Sequence, residues 1–329
     1  MTNESQESLF VGIDISKAVL EVALSDKGAS ERFDNDEHGI AALVERLKQV
    51  SVELVLMEAT GGLERKLAQA LYLQDFDVMV INPRQAHDFG KAMGYLAKTD
   101  HVDSRVLSHF ARTLHQSERR DKLLLKLPSQ QQQHVAALVM RRKQLVQMRV
   151  AEGNRLEQAH PLLAKSIAAM VKALDKQIGV LDDDIGGRLR MHFKRQAELL
   201  KGLKGIGPNT QAVLMGMLPE LGKLSRREIS KLVGVAPLAR DSGKSRGKRS
   251  IWGGRADVRS ALYMSTLSSM RHEPVIMQFR DRLRAAGKAP KVVIVACMRK
   301  LLSMINAVIK SGQPWSATYS QVGNASQNA

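Results

Sequence analysis

The sequence holds a single cysteine, Cys297, so no internal disulfide can staple it. That residue lies in the apolar run 292–298, where a small core side chain is expected rather than a reactive thiol. Aromatic residues make up only 4% of the chain, and no basic helix carries the Trp/Phe face of a membrane-surface helix. No run approaches the roughly 18 uncharged apolar residues of a membrane span. The start, Met1-Thr2-Asn3-Glu4-Ser5, lacks the basic and apolar regions of a signal peptide. These absences exclude a disulfide scaffold and a membrane protein, and the expected location is cytoplasmic, at the nucleoid if the partner is DNA.

Positive charge is present in excess. The 329 residues carry a formal net charge of +17 on an ordinary background of 44% hydrophobic and 25% charged residues. At about 150 residues per domain, two or more domains are expected. The charge is divided unevenly: residues 1–100 hold 10 Lys/Arg against 17 Asp/Glu, and the remainder 40 against 16. An acidic front and a basic back imply that the back faces a polyanion, for which nucleic acid is the natural choice.

The front has the pattern of an α/β domain. Residues 9–14 form a buried strand that ends in Asp14, and 20–24 alternate apolar and polar as its partner. Ser25-Asp26-Lys27-Gly28 is turn chemistry, so a third short strand near 31–33 continues antiparallel. Ile40, Leu43, Val44 and Leu47 keep helical spacing. A second buried strand, 54–57, delivers Glu58 at its end, and Leu63, Leu67, Leu71 and Leu73 mark another helix. A third buried strand, 77–82, is stopped by Pro83. Thr99 or Asp100 then opens a helix on which Asp100 and Asp103, three apart, share a face. Two acids in a first turn also suit an ordinary helix start.

The back is helical. Ile167, Val171, Leu174, Ile178, Leu181 and Ile185 follow a heptad seam, and Val135, Leu138, Val139, Leu145 and Val146 give a facing stripe. They predict a long hairpin that packs on itself or pairs with another protomer. Lys204-Gly205-Ile206-Gly207 resembles a helix-hairpin-helix turn, whose backbone N–H groups can approach a phosphate while Lys204 adds charge. From Arg240 a basic, glycine-hinged loop carries Ser242, Ser245 and Ser250 among Lys244, Arg246, Lys248, Arg249 and Arg255, residues suited to phosphates. The expected division is 1–115 catalytic α/β domain, 116–200 helical hairpin or coiled coil, 201–315 helical domain, and 316–329 disordered tail.

Asp14 and Glu58 each end a strand, and Asp100 and Asp103 share a helix face. In an RNase H-like sheet the first and fourth strands are neighbours with the last helix across them, so the four carboxylates would converge. Hard oxygen donors of this kind suit Mg²⁺ or Mn²⁺, and a pair of such ions can clamp the attacking and leaving oxygens of a phosphoryl transfer.

The motifs Gly12-Ile13-Asp14-Ile15-Ser16-Lys17, Met57-Glu58-Ala59-Thr60-Gly61, Ile81-Asn82-Pro83 and Lys98-Thr99-Asp100-His101-Val102-Asp103-Ser104-Arg105 resemble a known domain. It is the RuvC-like DEDD domain of one family of insertion-sequence transposases. That family includes the pilin-gene invertase Piv and the bridge-RNA-guided recombinases. Gly205-Ile206-Gly207, Gly234-Val235-Ala236-Pro237, Asp241-Ser242-Gly243 and Arg259-Ser260-Ala261-Leu262-Tyr263 extend the likeness over nearly the whole chain. The resemblance implies an RNase H-like (RuvC-like) mixed sheet and a metal site at the four acids. It also implies a nucleophilic Ser242 that forms a phosphoserine link to DNA. Further implications are a homodimer or homotetramer with shared active sites, and a structured noncoding bridge RNA that chooses target and donor DNA.

Three other readings compete. In a metal-dependent junction endonuclease, Ser242 would only line a DNA-binding loop. An actin-like sugar kinase also opens on Gly-Ile-Asp, but needs a second α/β domain where residues 116–200 are helical. An architectural DNA binder would leave four aligned acids facing a polyanion.

Overall fold

The computed structural model describes residues 8–95, 99–118, 120–238, 241–242, 245–247 and 249–315, with the backbone alone at 241, 242, 245 and 246. Lys98 and the tail 316–329 lie outside the described residues. The chain divides into two compact units, Met1–Leu127 and Pro128–Ala329.

The first unit runs β1 (Leu9–Ile15), β2 (Val19–Ala23), β3 (Ser30–Asp34), α1 (Glu37–Lys48), β4 (Val52–Glu58), α2 (Glu64–Tyr72), β5 (Val78–Ile81), α3 (Pro83–Ala92), α4 (Asp100–His115) and the short α5 (Arg120–Leu123). Its five strands lie in the order β3-β2-β1-β4-β5, antiparallel on the β3-β2-β1 side and parallel from β1 to β5. The mixed sheet and the neighbouring first and fourth strands are as expected.

Strand alternation divides the residues between two layers. Val11, Ile13 and Ile15 join Leu43 and Leu47 of α1 and Leu67 and Leu71 of α2 in one core. Leu54 and Leu56 join Leu107 and Ala111 of α4 in the other. Gly12 faces α4, and a Cβ there would stand 2.1 Å from the Ser104 carbonyl oxygen and 2.2 Å from the Ser108 nitrogen. The glycine is what lets the helix lie directly on β1, and the Ser108 hydroxyl donates to the Phe10 carbonyl oxygen at 2.5 Å across the contact. After α4 the chain returns to the far sheet edge, where Leu124 bridges Met79 and Arg120 pairs with Asp77. The helix over Leu63–Leu73 is shorter than its spacing indicated. Leu73 is the C-cap and 63% exposed, because Asp75 turns the chain with a positive φ of 61° into β5.

The second unit is helical: α6 (Gln130–Glu157), α7 (Pro161–His192), α8 (Lys194–Leu200), α9 (Pro208–Met217), α10 (Arg226–Val233), α11 (Ala256–His272), α12 (Pro274–Ala285) and α13 (Pro290–Ser311). A two-stranded hairpin, β6 (Asp241–Ser242) with β7 (Ser245–Arg246), lies between α10 and α11. Helices α6 and α7 pack on each other as an antiparallel hairpin. The pairs Arg142–Asp182 and Arg149–Asp175 register it, one heptad on along each helix. Leu174 and Ile185 of the seam are buried, and the base of the hairpin, through Val135, Val139, Ile185 and Leu189, joins the core of α8–α13. Helix α13 is long and apolar enough to cross a membrane by composition. It is instead the centre of this core, with Cys297, Leu301, Leu302 and Ile305 fully buried.

Candidate active site

Register brings the two strand-end acids together. Gly12 pairs with Leu56 and Ile13 with Met57, so Asp14 and Glu58 stand at one level on strands about 4.8 Å apart, on the face covered by α4. The third and fourth acids come from the first turn of α4, where the Thr99 hydroxyl accepts from the Val102 N–H at 3.3 Å and starts the helix. Asp100 is exposed and Asp103 half-buried.

Electrostatics tie Asp14 to Asp103 and Asp100. The Asp14 carboxyl is raised above the ordinary carboxylate value, first by burial, then by the charges of Asp103 and Asp100 and, more weakly, Glu21; a backbone hydrogen bond at Ile15 opposes them. Among the described residues no group of three or more His, Cys, Asp or Glu side chains is gathered closely enough to hold a metal ion. The four acids share one end of one sheet face without forming a closed ligand set. Their chemistry nevertheless fits a hard divalent cation, whose charge would relieve the repulsion that raises Asp14.

Two residues at this site were not singled out from the sequence. Glu21 lies directly across from Asp14 in the β1–β2 register and is only 8% exposed. It accepts a short hydrogen bond from the Ser30 hydroxyl and pairs with Arg32 at 3.2 Å. The same Ser30 hydroxyl meets Nδ1 of His101 at 2.7 Å, tying the turn that carries Asp100 and Asp103 to the β2–β3 edge. Glu21 could have been found by counting back through the turn at Ser16–Val19. His101 had no signal in a single sequence. Beyond β4, the Glu64 carboxylate accepts from the N–H groups of Thr60 and Gly62, both at 2.9 Å, and fixes the turn after Glu58.

In the second unit Gly205 has φ +95° and packs against α11: a Cβ would meet the Ser269 hydroxyl at 2.5 Å. The Lys204 N–H donates to the buried Glu273 at 3.1 Å, and the Lys204 carbonyl accepts from Ser269 at 2.7 Å. Gly207 caps α9, with open space beside it. Ser242 pairs with Ser245, and Asp241 with Arg246, in the backbone of the small hairpin. Lys244, Lys248 and the side chains of Ser242 and Arg246 lie outside the described residues. Arg249 is exposed. Arg255 is engaged internally, donating to both oxygens of Glu220 at 2.5 and 2.6 Å and to the Met217 carbonyl at 2.9 Å.

Comparison with known proteins agrees with both halves. Residues 11–162 match a model of IS110-type DEDD transposases, and residues 197–281 a model of the IS116/IS110/IS902 transposase family. The pilin gene-inverting protein of Moraxella lacunata is 26% identical over 318 residues, covering 93% of this chain and 97% of that protein. An uncharacterised 42 kDa protein of insertion element IS900 from Mycobacterium paratuberculosis is 32% identical over 150 residues, 44% of this chain and 36% of that protein. An uncharacterised 43.6 kDa protein of IS110 from Streptomyces coelicolor is 25% identical over 153 residues, 46% of this chain and 37% of that protein. With two transposase models matched in order along one chain, and a DNA inverter aligned almost end to end, the chain belongs to the IS110 family of transposases and is a DNA recombinase.

Proposed function

We propose that the chain cuts and rejoins DNA with two sets of groups: the carboxylates Asp14, Glu58, Asp100 and Asp103, and the hydroxyl of Ser242. The observation that carries this reading is the β1–β4 register, which sets Asp14 level with Glu58, and the raised Asp14 carboxyl, which Asp103 and Asp100 push up together, supports it. A shared cation would relieve the repulsion that Asp103 and Asp100 exert on Asp14. The first unit on this reading is an RNase H-like (RuvC-like) domain, supported by its strand order and by α4 across β1 and β4.

When bound, Mg²⁺ or Mn²⁺ supplies Lewis-acid polarisation of the scissile phosphate. The chain's own groups do the rest. Asp14 and Glu58 are held by strand register, and Asp100 and Asp103 by the capped first turn of α4. The Ser242 Oγ attacks phosphorus, an Oγ–P bond forms as the P–O3′ bond breaks, and the proton lost by the serine is balanced by the one the departing 3′ oxygen gains. The product is a phosphoserine link and a free 3′ hydroxyl, and the reverse step on an exchanged strand rejoins the DNA.

Lys244, Arg246, Lys248 and Arg249 would neutralise phosphates near Ser242. The turn Lys204-Gly205-Ile206-Gly207 between α8 and α9 would approach the backbone as a helix-hairpin-helix does. Arg255 serves by holding its own turn to Glu220. The α6–α7 hairpin leaves Met148, Val150, Leu162, Leu163 and Met170 exposed, which supports pairing between protomers into a dimer or tetramer that shares active sites. A bridge RNA choosing target and donor DNA is compatible with the same basic surface.

The test is capture of a covalent protein–DNA adduct on denaturing gels. The adduct should vanish in Ser242→Ala and survive in Ser245→Ala. Recombination by Ser242→Ala would sink the serine mechanism and leave a metal-dependent junction endonuclease. The full-length likeness to the pilin gene-inverting protein favours inversion as a second outcome, scored by inverted against excised product.

A further inference from the structure

The half-buried cations of the second unit are, with one exception among the described residues, supplied with oxygen acceptors. Arg142 pairs with Asp182, Arg188 with Asp184, Arg255 with Glu220 and Arg280 with Asp281. Arg259 donates to the Val233 and Gly253 carbonyls. The exception is Lys300 of α13, whose ammonium meets no carboxylate, carbonyl or hydroxyl among the described residues. Taking an ammonium partly out of water without hydrogen bonds costs free energy, so the place needs a reason.

What Lys300 meets instead is an aromatic ring and a second cation. Its Nζ lies 4.7 Å from the centroid of the Phe279 ring in α12, and the guanidinium carbon of Arg282 lies 5.2 Å from the same centroid. Phe279 packs against the helical core, so the ring is a fixed support. A ring face attracts cations but offers no lone pair, which leaves N–H donors on both groups unfilled. Burial first, and then the charge of Arg282, hold Lys300 below the ordinary lysine value, while Cys297, one turn back in α13, opposes them.

The surrounding sequence brings no counter-charge. Residues 274–315 contain eight Lys/Arg and a single acid, Asp281. That carboxylate is already taken by Arg280, at 2.7 and 2.9 Å. Arg282 is exposed and has no ion pair among the described residues. Two cations steadied on one ring, with free donors and no carboxylate, make a receptor for an anion that offers several oxygens. A phosphodiester offers two and a full negative charge. The chain belongs to a family that recombines DNA, so duplex DNA is the polyanion at hand.

We propose that Arg282 and Lys300, steadied on Phe279, grip one backbone phosphate of duplex DNA, on helices that carry neither the Ser242 loop nor the Lys204 turn. The assignment deepens the recombinase reading and rests on it for DNA as the ligand, but the grip does not require the serine chemistry.

The test measures affinity of the full chain for a 30-base-pair duplex across a salt series. The double variant Arg282→Gln with Lys300→Met should lower the slope of log K against log salt by about 0.9, one phosphate. Binding should weaken about five- to tenfold at 0.1 M salt, alike for all sequences. Each single variant should show part of both losses, and Lys300→Arg should keep the native slope. An unchanged slope in Arg282→Gln, a substitution at an exposed residue, would overturn the proposal, as would an unchanged slope in a folded Lys300→Met. A fall of about 1.8 in the double variant would mean two separate phosphates and overturn the shared grip. Slopes that fall with a structured RNA of equal length but not with the duplex would overturn the DNA assignment. A covalent adduct that survives Ser242→Ala, with the slope losses intact, would remove the serine mechanism and leave the grip standing.

Discussion

The two units handle charge in opposite ways. Residues 1–127 carry 16 Lys/Arg against 20 Asp/Glu, and residues 128–329 carry 34 against 13. In the first unit the important charges sit at ends of regular elements, where register and a helix cap dictate their positions. They are placed to repel one another, and Asp14 bears the cost. In the second unit the important charges crowd a loop between α10 and α11, and rigidity is supplied beneath it by glycine contacts and by Arg255 and Arg259. The first arrangement suits a small hard cation that needs fixed donors. The second suits a long polyanion that must be admitted and released.

The largest way to break this contrast is at the acids. Asp14→Asn should lower DNA cleavage by about a thousandfold or more, since metal-assisted charge stabilisation is worth several kcal/mol. DNA binding, measured by gel shift, should persist because the groups proposed to bind phosphates lie in the other unit. With a hundredfold excess of Mn²⁺ over its Kd, the native protein should gain about 2.7 kcal/mol of stability, read as a rise in melting temperature that Asp14→Asn lacks. Unchanged cleavage in Asp14→Asn would dispose of the metal site.

Next in size are the two packing glycines. Gly12→Ala pushes a methyl group into the backbone of α4, which cannot rotate aside, and should cost about 1–3 kcal/mol or somewhat more. Gly205→Ala meets the Ser269 hydroxyl and carries a φ of +95° as well. Denaturant melts should show comparable losses. Only Gly12→Ala should also weaken Mn²⁺ binding, because only there does the displaced helix carry Asp100 and Asp103. Equal loss of Mn²⁺ affinity in both variants would show that the units are not separate in this respect.

These contrasts also mark what a single sequence reveals. The acids at strand ends were legible because burial of β1 and β4 forces apolar runs, and a run that ends in a carboxylate stands out. The five strands followed from alternation and turn residues in the same way. The reason for Gly12 was hidden, since close approach of α4 depends on a contact between residues nearly a hundred positions apart. His101 and Ser30 meet across 71 positions and neither belongs to a pattern. The return of residues 120–127 to β5 rests on the Leu124 bridge, the Arg120–Asp77 pair and the packing of Leu124 and Leu125, a segment too short to leave a periodic signal. The heptad seam predicted the hairpin, but not that its base would continue into the core of α8–α13, because helical spacing names a buried face without naming its partner.

A smaller effect concerns acidity. The Asp14 carboxyl is raised in the folded state, so folding takes up a proton between the unfolded value near 3.8 and the raised folded value. This contribution to stability is fully present below 3.8 and is lost as pH rises through the folded value. Metal-free native protein should therefore melt below Asp14→Asn at pH 7, with the gap closing as pH falls toward 4. A gap that is constant with pH would mean that the substitution acts by shape alone.

The smallest effect lies in salt. Each phosphate contact releases counterions and contributes about 0.9 to the slope of log K against log salt. Arg249→Gln should reduce that slope by roughly one contact while weakening binding to all sequences alike. Arg84→Gln serves as the control in the first unit: Arg84 is also exposed and is paired within its own helix with Asp88 at 3.7 Å. It should leave the slope unchanged. A fall in slope for Arg84→Gln as large as that for Arg249→Gln would mean that DNA is held by both units, and the division into a cation-binding half and a polyanion-binding half would fail.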